Sequence, residues 1–200
     1  MTVRPLLALL ALFAVLAAVG PVAAQDTPLP KPEVLSEETI FTPNRLSSYD
    51  TLVIKDFTTD GAEYSRVDDE EKAKIDAMRP LLVSTIAESL AMQVKERKLF
   101  KNVLRNQNAN GKTLILDGAI TEFNAGSRAL KFFVGFGAGM AYLKVKGRLI
   151  DGQTGKELAT FEDRETGYRG AVGMESYEDL FPHQAKSLGE NIANFIQKLY

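Results

Sequence analysis

The sequence contains no cysteine and only one histidine, His183. The lack of cysteine excludes disulfide bonds, thiolate metal sites, a cysteine nucleophile and a lipid-bearing cysteine at a mature N-terminus. One histidine without cysteine offers no cluster of ligands with the spacing of a zinc site. No nucleophile-elbow sequence is present either. We therefore expect a protein that is not an enzyme and that binds no metal or cofactor.

The sequence also lacks a strong excess of charge of either sign. Its formal net charge is −2 at pH 7, whereas nucleic-acid-binding domains usually carry a clear basic excess. Hydrophobic residues make up 45% of the chain and charged residues 25%, which are ordinary values for a globular protein. These values predict a folded domain with no nucleic-acid partner.

The first residues have the pattern of a secretory signal peptide. Arg4 supplies the positive charge, Leu6 to Val19 is an uninterrupted apolar run, and Gly20-Pro21 breaks the helix before the small residues that end at Ala24. The alternative is an uncleaved membrane anchor, but the run is short for a span of about 20 residues. We predict a signal peptide at 1–24, cleavage after Ala24, and export to the periplasm without a lipid anchor.

Prolines dominate the next segment, at Pro28, Pro30, Pro32 and Pro43. Such a composition favours extended, semi-rigid backbone over a packed element. We therefore predict three parts: a signal peptide at 1–24, a Pro-rich spacer at 25–48 and a single domain at 49–200.

Several segments of the domain have the patterns of β-strands. Thr51 to Phe57 contains consecutive apolar residues, which indicates a strand buried on both sides. Ala141 to Ile150 alternates strictly between apolar and polar residues, as expected for a strand with one buried face. Further strands are predicted at Leu99 to Leu104, at Thr113 to Phe123 and, after a hairpin loop at Asp151 to Gly155, at Glu157 to Glu162.

Two amphipathic helices complete the prediction. The first begins near Asp68, has acidic residues in its first turn, and contains Pro80, which should kink or divide it. The second lies near the C-terminus, with Pro182 in its first turn. Each helix has one apolar stripe and should lie against the sheet. The fold class is therefore α+β, with a mixed β-sheet and two amphipathic helices packed against it.

Residues 126–140 are the most unusual stretch and the predicted interaction surface. The segment is rich in glycine and phenylalanine and lies between charged flanks. Its glycine spacing does not fit a dinucleotide-binding motif, and a strand pattern follows where that motif requires a helix. Three interpretations remain: a strand or flap that covers the domain's own core, a partner-binding or oligomer-forming loop, and shallow contact with lipid. The candidate residues in this stretch are Arg128, Phe132, Phe133, Gly135, Phe136, Gly137 and Gly139.

A row of basic residues follows on one face of the alternating strand, at Lys144, Lys146 and Arg148. We include it in the candidate surface, because three cations can meet an anionic polymer or lipid headgroups. The simpler interpretation is a solvated sheet face whose cations pair with acids on the neighbouring strand, such as Glu157 and Glu162.

Three motifs in this order are familiar: Gly126-Ser127-Arg128, Gly135-Phe136-Gly137-Ala138-Gly139 and Asp151-x-x-Thr154-Gly155. They resemble a bacterial envelope family known only as a domain of unknown function, many of whose members are lipoproteins. More distantly, the architecture is similar to the α+β domains of the curli-secretion lipoprotein and of lipoprotein activators of cell-wall synthases. The resemblance spans roughly Tyr49 to Leu199 and implies a role in the envelope. It implies no active-site residues.

We therefore expect a periplasmic binding or assembly module that acts through residues 126–140. Its partner would be an envelope protein or a second copy of the chain, with peripheral membrane contact as an alternative. The second hypothesis is a structural subunit that oligomerises through the edges of its sheet. An enzyme with an unrecognised site is the third.

Overall fold

The computed structural model describes residues 27–108, 110–126, 140–166 and 176–200. Within these ranges the chain forms one mixed β-sheet of seven strands with two α-helices, which confirms the predicted α+β class. The strands are β1 (Glu37–Ile40), β2 (Thr51–Ile54), β3 (Glu63–Ser65), β4 (Asn102–Arg105), β5 (Thr113–Asn124), β6 (Tyr142–Asp151) and β7 (Glu157–Glu165). The helices are α1 (Asp69–Glu96) and α2 (Tyr177–Leu199), and a 3₁₀ turn covers Leu46–Ser48.

The strands follow the order β1-β7-β6-β5-β2-β4, and β3 pairs with the end of β5 beyond β2. Along β1-β7-β6-β5 each strand is antiparallel to its neighbour, whereas β2 runs parallel to both β5 and β4. All four residues of β2 are buried. This confirms the prediction, from its consecutive apolar residues, of a strand covered on both sides.

Helix α1 begins at a capping box. The Asp68 carboxylate accepts the backbone N–H of Glu71 at 2.8 Å, and the Glu71 carboxylate accepts the backbone N–H of Asp68 at 3.1 Å. The helix then continues without a break to Glu96, so Pro80 does not divide it. Its apolar stripe is buried on both sides of the proline, at Ile75 and at Leu82, and this packing holds the two parts in one helix.

Helix α2 lies beside α1 on the same face of the sheet. A Cβ atom added at Gly189 would lie 2.6 Å from the backbone oxygen of Ile86, so only glycine permits this close crossing. Ser89 of α1 donates its hydroxyl to the backbone oxygen of Lys186 at 2.8 Å. Pro182 is the sixth residue of α2 and belongs to its second turn. The prediction that it lies in the first turn was wrong, because the helix already starts at Tyr177.

The inner face of the sheet, which the helices cover, contains a pair of glycines. Gly118 of β5 and Gly147 of β6 are direct cross-strand partners. The ring of Phe57 lies over Gly118 and the ring of Phe161 lies over Gly147, each within 3 Å of the position that a Cβ atom would take. The two glycines therefore make room for aromatic rings from the chain on either side.

The segment predicted to be an unpacked spacer is part of the fold from residue 29 onward. Strand β1 pairs with β7, and Leu35, Ile40 and Leu46 are buried. The Glu38 carboxylate accepts the backbone N–H groups of residues 33–35, each at 2.8 Å. The expectation that 25–48 lacks a packed element was therefore wrong. The prolines favour extended backbone, and the chain uses that backbone to add an edge strand.

The predicted signal peptide at 1–24 and its cleavage site after Ala24 lie outside the described residues. Among the residues that the structure does describe, neither helix is long and apolar enough to span a membrane.

Candidate interaction surface

The predicted interaction segment connects two adjacent strands at one end of the sheet. Strands β5 and β6 are antiparallel neighbours, and Asn124 is the cross-strand partner of Tyr142. Residues 127–139 lie outside the described part of the chain, so the roles of seven candidate residues remain predictions. These are Arg128, Phe132, Phe133, Gly135, Phe136, Gly137 and Gly139.

Both ends of this segment are held by hydrogen bonds. At the first end, the Asn124 side-chain oxygen accepts the N–H of Gly126 at 2.9 Å, and Gly126 has a φ of +79°, which favours glycine. At the second end, the backbone oxygen of the fully buried Ala141 accepts the side-chain amide of Gln184 at 2.9 Å. Gln184 is itself fully buried, and its Oε1 has no hydrogen-bond partner among the described residues.

A group of polar side chains lies beside the two anchored ends of this segment, at the end of β5 and the start of β6. The Glu122 carboxylate accepts the hydroxyls of Ser65 at 2.5 Å and Tyr142 at 2.7 Å. Burial acts to raise the pKa of Glu122, but these hydrogen bonds outweigh it, and the pKa is lowered overall. Burial and the hydrogen bond to Glu122 raise the pKa of Tyr142. The Arg164 guanidinium lies 5.2 Å from the centre of the Tyr142 ring. These contacts fix the first residue of β6.

The basic row of β6 lies on the outer face of the sheet, and two of its three cations pair with acids on β7 as the sequence predicted. Lys144 contacts Glu162 at 2.6 Å, and Arg148 contacts Glu157 at 2.9 Å. Arg148 also donates two hydrogen bonds to Asp117, at 2.7 and 3.0 Å. The hydrogen bonds to Asp117 and Glu157 raise the pKa of Arg148. The cross-strand pairing is therefore confirmed for Lys144 and Arg148, whereas Lys146 has no carboxylate at salt-bridge distance among the described residues.

A groove with a volume of about 700 Å³ runs along this outer face. Its lining comes from β1, β5, β6, β7 and the chain that leaves β2. Sequence reasoning identified Lys146 and Arg148 in this lining but missed Lys55, which directly follows β2. The alternation of β6 was a clear signal, whereas a lysine at the end of a short buried strand carries none. The groove also includes Asp56, Asp117, Thr160 and Glu162.

Within the described ranges, no three side chains of histidine, aspartate or glutamate cluster closely enough to hold a metal ion. His183 follows Pro182 in the second turn of α2.

The chain is similar to two crystal structures. The PelC dodecamer from Paraburkholderia phytofirmans is 14% identical, with 80% of this chain and 94% of that chain covered and a TM-score of 0.43. Protein XCC0632 from Xanthomonas campestris, of the DUF330 family, is 8% identical, with 74% of this chain and 83% of that chain covered and a TM-score of 0.43. Both scores are below 0.5, so nothing about function is transferred from either protein.

No curated protein matches the chain significantly. The resemblance noted in the sequence predicted a family known only as a domain of unknown function, and this coarse assignment is confirmed. Residues 52–171 match the model of the domain of unknown function DUF4410, and the protein belongs to that family.

Proposed function

We propose that the protein is an exported binding or assembly module of the bacterial cell envelope and that residues 126–140 bind its partner. The observation that carries the proposal is the way in which this segment is attached. Asn124 holds Gly126 at one end, and the buried Gln184 holds Ala141 at the other. Binding residues are commonly found on loops that a rigid scaffold positions, and this base is such a scaffold.

The composition of the segment supports the same proposal. Residues 132–143 contain no charge and are bounded by Lys131 and Lys144. Aromatic residues are enriched in the buried centres of protein interfaces, where they fill pockets on the partner. Phe132 and Phe136 are the two residues to which we assign this role. The export part of the proposal rests on the predicted signal peptide.

The test replaces both phenylalanines, in the double variant Phe132→Ser and Phe136→Ser. We expect the variant to lose at least 90% of the partner crosslinks that mass spectrometry detects in the native envelope. The matched control is Leu81→Ser with Met92→Ser, because these α1 side chains are 55% and 44% exposed and undergo the same apolar-to-polar change. The control should retain the crosslinks.

Thermal unfolding separates this proposal from the interpretation in which the segment covers the core. If Phe132 and Phe136 only bind a partner, the melting temperature of the double variant should stay within about 2 °C of the wild type. Loss of two buried phenylalanines would cost about 3–5 kcal/mol each and lower it far more. A large drop in melting temperature, or crosslinks that survive the double substitution, would contradict the proposal.

One observation favours the second hypothesis, a structural subunit that oligomerises through the sheet edge. Strand β4 has a partner on one side only among the described residues. However, this edge is four residues long, Lys101 directly precedes it and Arg105 ends it, and short, charged edges disfavour strand addition. Light scattering of the purified protein distinguishes the two hypotheses, because a monomer at all concentrations excludes the structural subunit.

A further inference from the structure

The groove on the outer face includes the chain that leaves β2 and runs alongside β5 towards β3. Thr58 forms an isolated bridge with Ala119. The N–H of Thr58 donates to the backbone oxygen of Gly118 at 3.0 Å, and the backbone oxygen of Thr58 accepts the N–H of Ile120 at 2.8 Å. Ala119 therefore has Thr58 on one side and Lys146, its β6 partner, on the other. Its small side chain leaves a low floor between them.

Most carboxylates that line this groove already have a partner. Asp56 accepts two hydrogen bonds from Arg105, at 2.5 and 3.1 Å, and Asp117 accepts two from Arg148. Glu162 pairs with Lys144, and Glu38 accepts backbone N–H groups of its own segment. Hydrogen bonding to Arg105 lowers the pKa of Asp56, which keeps this acid ionised and bound to its arginine.

Two lysines of the lining are left without such a partner. Within the described ranges, neither Lys55 nor Lys146 has a carboxylate at salt-bridge distance. Glu162 is the direct cross-strand partner of Lys146, yet its Oε2 lies 2.6 Å from the Nζ of Lys144. Among the described residues, Lys55 and Lys146 are therefore the two cations of this lining without an ion-pair partner, one on each side of β5.

We propose that this groove binds an extended acidic segment of a partner protein, with one carboxylate on Lys55 and another on Lys146. In the strand register Lys55 lies beside Asp117 on one side of β5, and Lys146 lies beside Ala119 on the other. The two lysines are therefore about 10 Å apart across the sheet and about 7 Å apart along it, which places their Cα atoms about 12 Å apart. Residues i and i+4 of an extended peptide point to the same side and are about 13 Å apart. Two acidic side chains with this spacing match the two lysines, and the low floor at Ala119 accommodates the backbone between them.

The end of the groove at β1 limits how far the acidic part of the bound peptide can extend. Glu37 of β1 lies beside Glu162 in the strand register and repels a further carboxylate there. The hydroxyls of Thr39 and Thr160, also in the lining, suit an uncharged stretch of peptide. The acidic residues therefore lie over β5 and β6, and the segment is neutral or basic where it reaches β1. This site is separate from residues 126–140 and does not depend on the function proposed for them.

The experiment titrates the ¹⁵N-labelled protein with a hexaglutamate peptide in low-salt buffer and follows amide signals by NMR. We expect saturable shifts at Lys55, Thr58, Ala119 and Lys146, and none with hexaglutamine. Lys55→Gln and Lys146→Gln should each weaken binding about threefold, and the double variant about tenfold, as expected for exposed ion pairs. The control Lys156→Gln removes the same charge from the exposed hairpin loop and should leave the affinity unchanged.

Three results would overturn the proposal. The first is the absence of saturable shifts at these four residues in the wild-type protein. The second is an equal loss of affinity in Lys156→Gln, which would indicate a general charge effect. The third is glutarate, at the same carboxylate concentration, giving the same shifts and affinity, which would make the groove a small-anion site. The wild-type titrations decide the proposal even if a variant does not fold.

Discussion

The two faces of the same sheet are organised by different physical constraints. Along β6, Leu143, Val145 and Leu149 point towards the helices and are fully buried, while the residues between them carry the cations of the outer face. On the inner face, volume decides which residue fits, as the glycines beneath Phe57 and Phe161 demonstrate. On the outer face, charge decides which residue is tolerated, because each charged side chain must be solvated or paired. A substitution should therefore have a large effect on one face and a small effect on the other.

The largest effect is expected for Gly147→Val on the inner face. An added Cβ atom would lie 2.4 Å from the Phe161 ring and 2.9 Å from the backbone oxygen of Asp117, and a backbone atom cannot move aside easily. We expect a loss of about 3 kcal/mol in the free energy of unfolding, the upper part of the range for overpacked cores, measured by urea denaturation. The control is Ala119→Val, on the outer face of β5, for which we expect a change within about 0.5 kcal/mol. Equal losses in the two variants would show that the faces do not differ in this way.

A smaller effect is expected for Arg148→Ala on the outer face. Arg148 donates two hydrogen bonds to Asp117 and one to Glu157, but its side chain is 49% exposed. Exposed ion pairs contribute about 0.2–1 kcal/mol, so we expect a loss of about 1 kcal/mol. A double-mutant cycle with Asp117→Ala measures the coupling between the two residues. Adding 0.5 M salt should reduce this coupling, and a coupling that salt does not change would contradict the assignment to charge.

The smallest effect is expected for Glu165→Gln, which tests an acid near the inner face. Burial, and then the charge of Asp163, raise the pKa of Glu165. A carboxyl group whose pKa is raised by folding destabilises the protein when ionised, and this penalty disappears below its unfolded pKa. Glu165→Gln should therefore stabilise the protein slightly at pH 7 and have no effect near pH 3. Urea denaturation at both pH values tests this, and an equal effect at the two would contradict the stated cause.

Local sequence signals predicted the elements that local physics determines. The strict alternation of residues 141–150 predicted both faces of β6, and the pairing of Lys144 with Glu162 followed from it. The acids after Asp68 predicted the start of α1 because acids in the first turn complement the helix dipole. The structure adds a capping box, which involves residues only three positions apart. Of the two outcomes predicted for Pro80, division of the helix does not occur, since burial of the stripe on both sides of the proline preserves one helix.

The contacts that sequence reasoning missed join residues that are distant in the chain. The backbone N–H and the hydroxyl of Ser36 both donate to the Asp163 carboxylate, 127 positions away, and no local pattern reports this. A proline-rich composition indicates extended backbone, but it does not distinguish a free tether from an edge strand. The groove was missed for a similar reason. Whether Lys55 and Lys146 lack a partner depends on the register of several strands, which the composition of each strand leaves open.

The pairing of β1 with β7 has a consequence for the order in which the chain assembles. Residues 37–40 are made early, but their partners in the register, residues 159–162, come more than a hundred positions later. During synthesis, which starts at the amino end, β1 has no strand to pair with until nearly all of the chain has been released. Such non-local pairing slows folding, because a long loop closes before any contact compensates its entropy. Completion of the sheet is therefore a late event. We expect a chain truncated before residue 159 to leave β1 unpaired, because its partner residues in β7 are then absent.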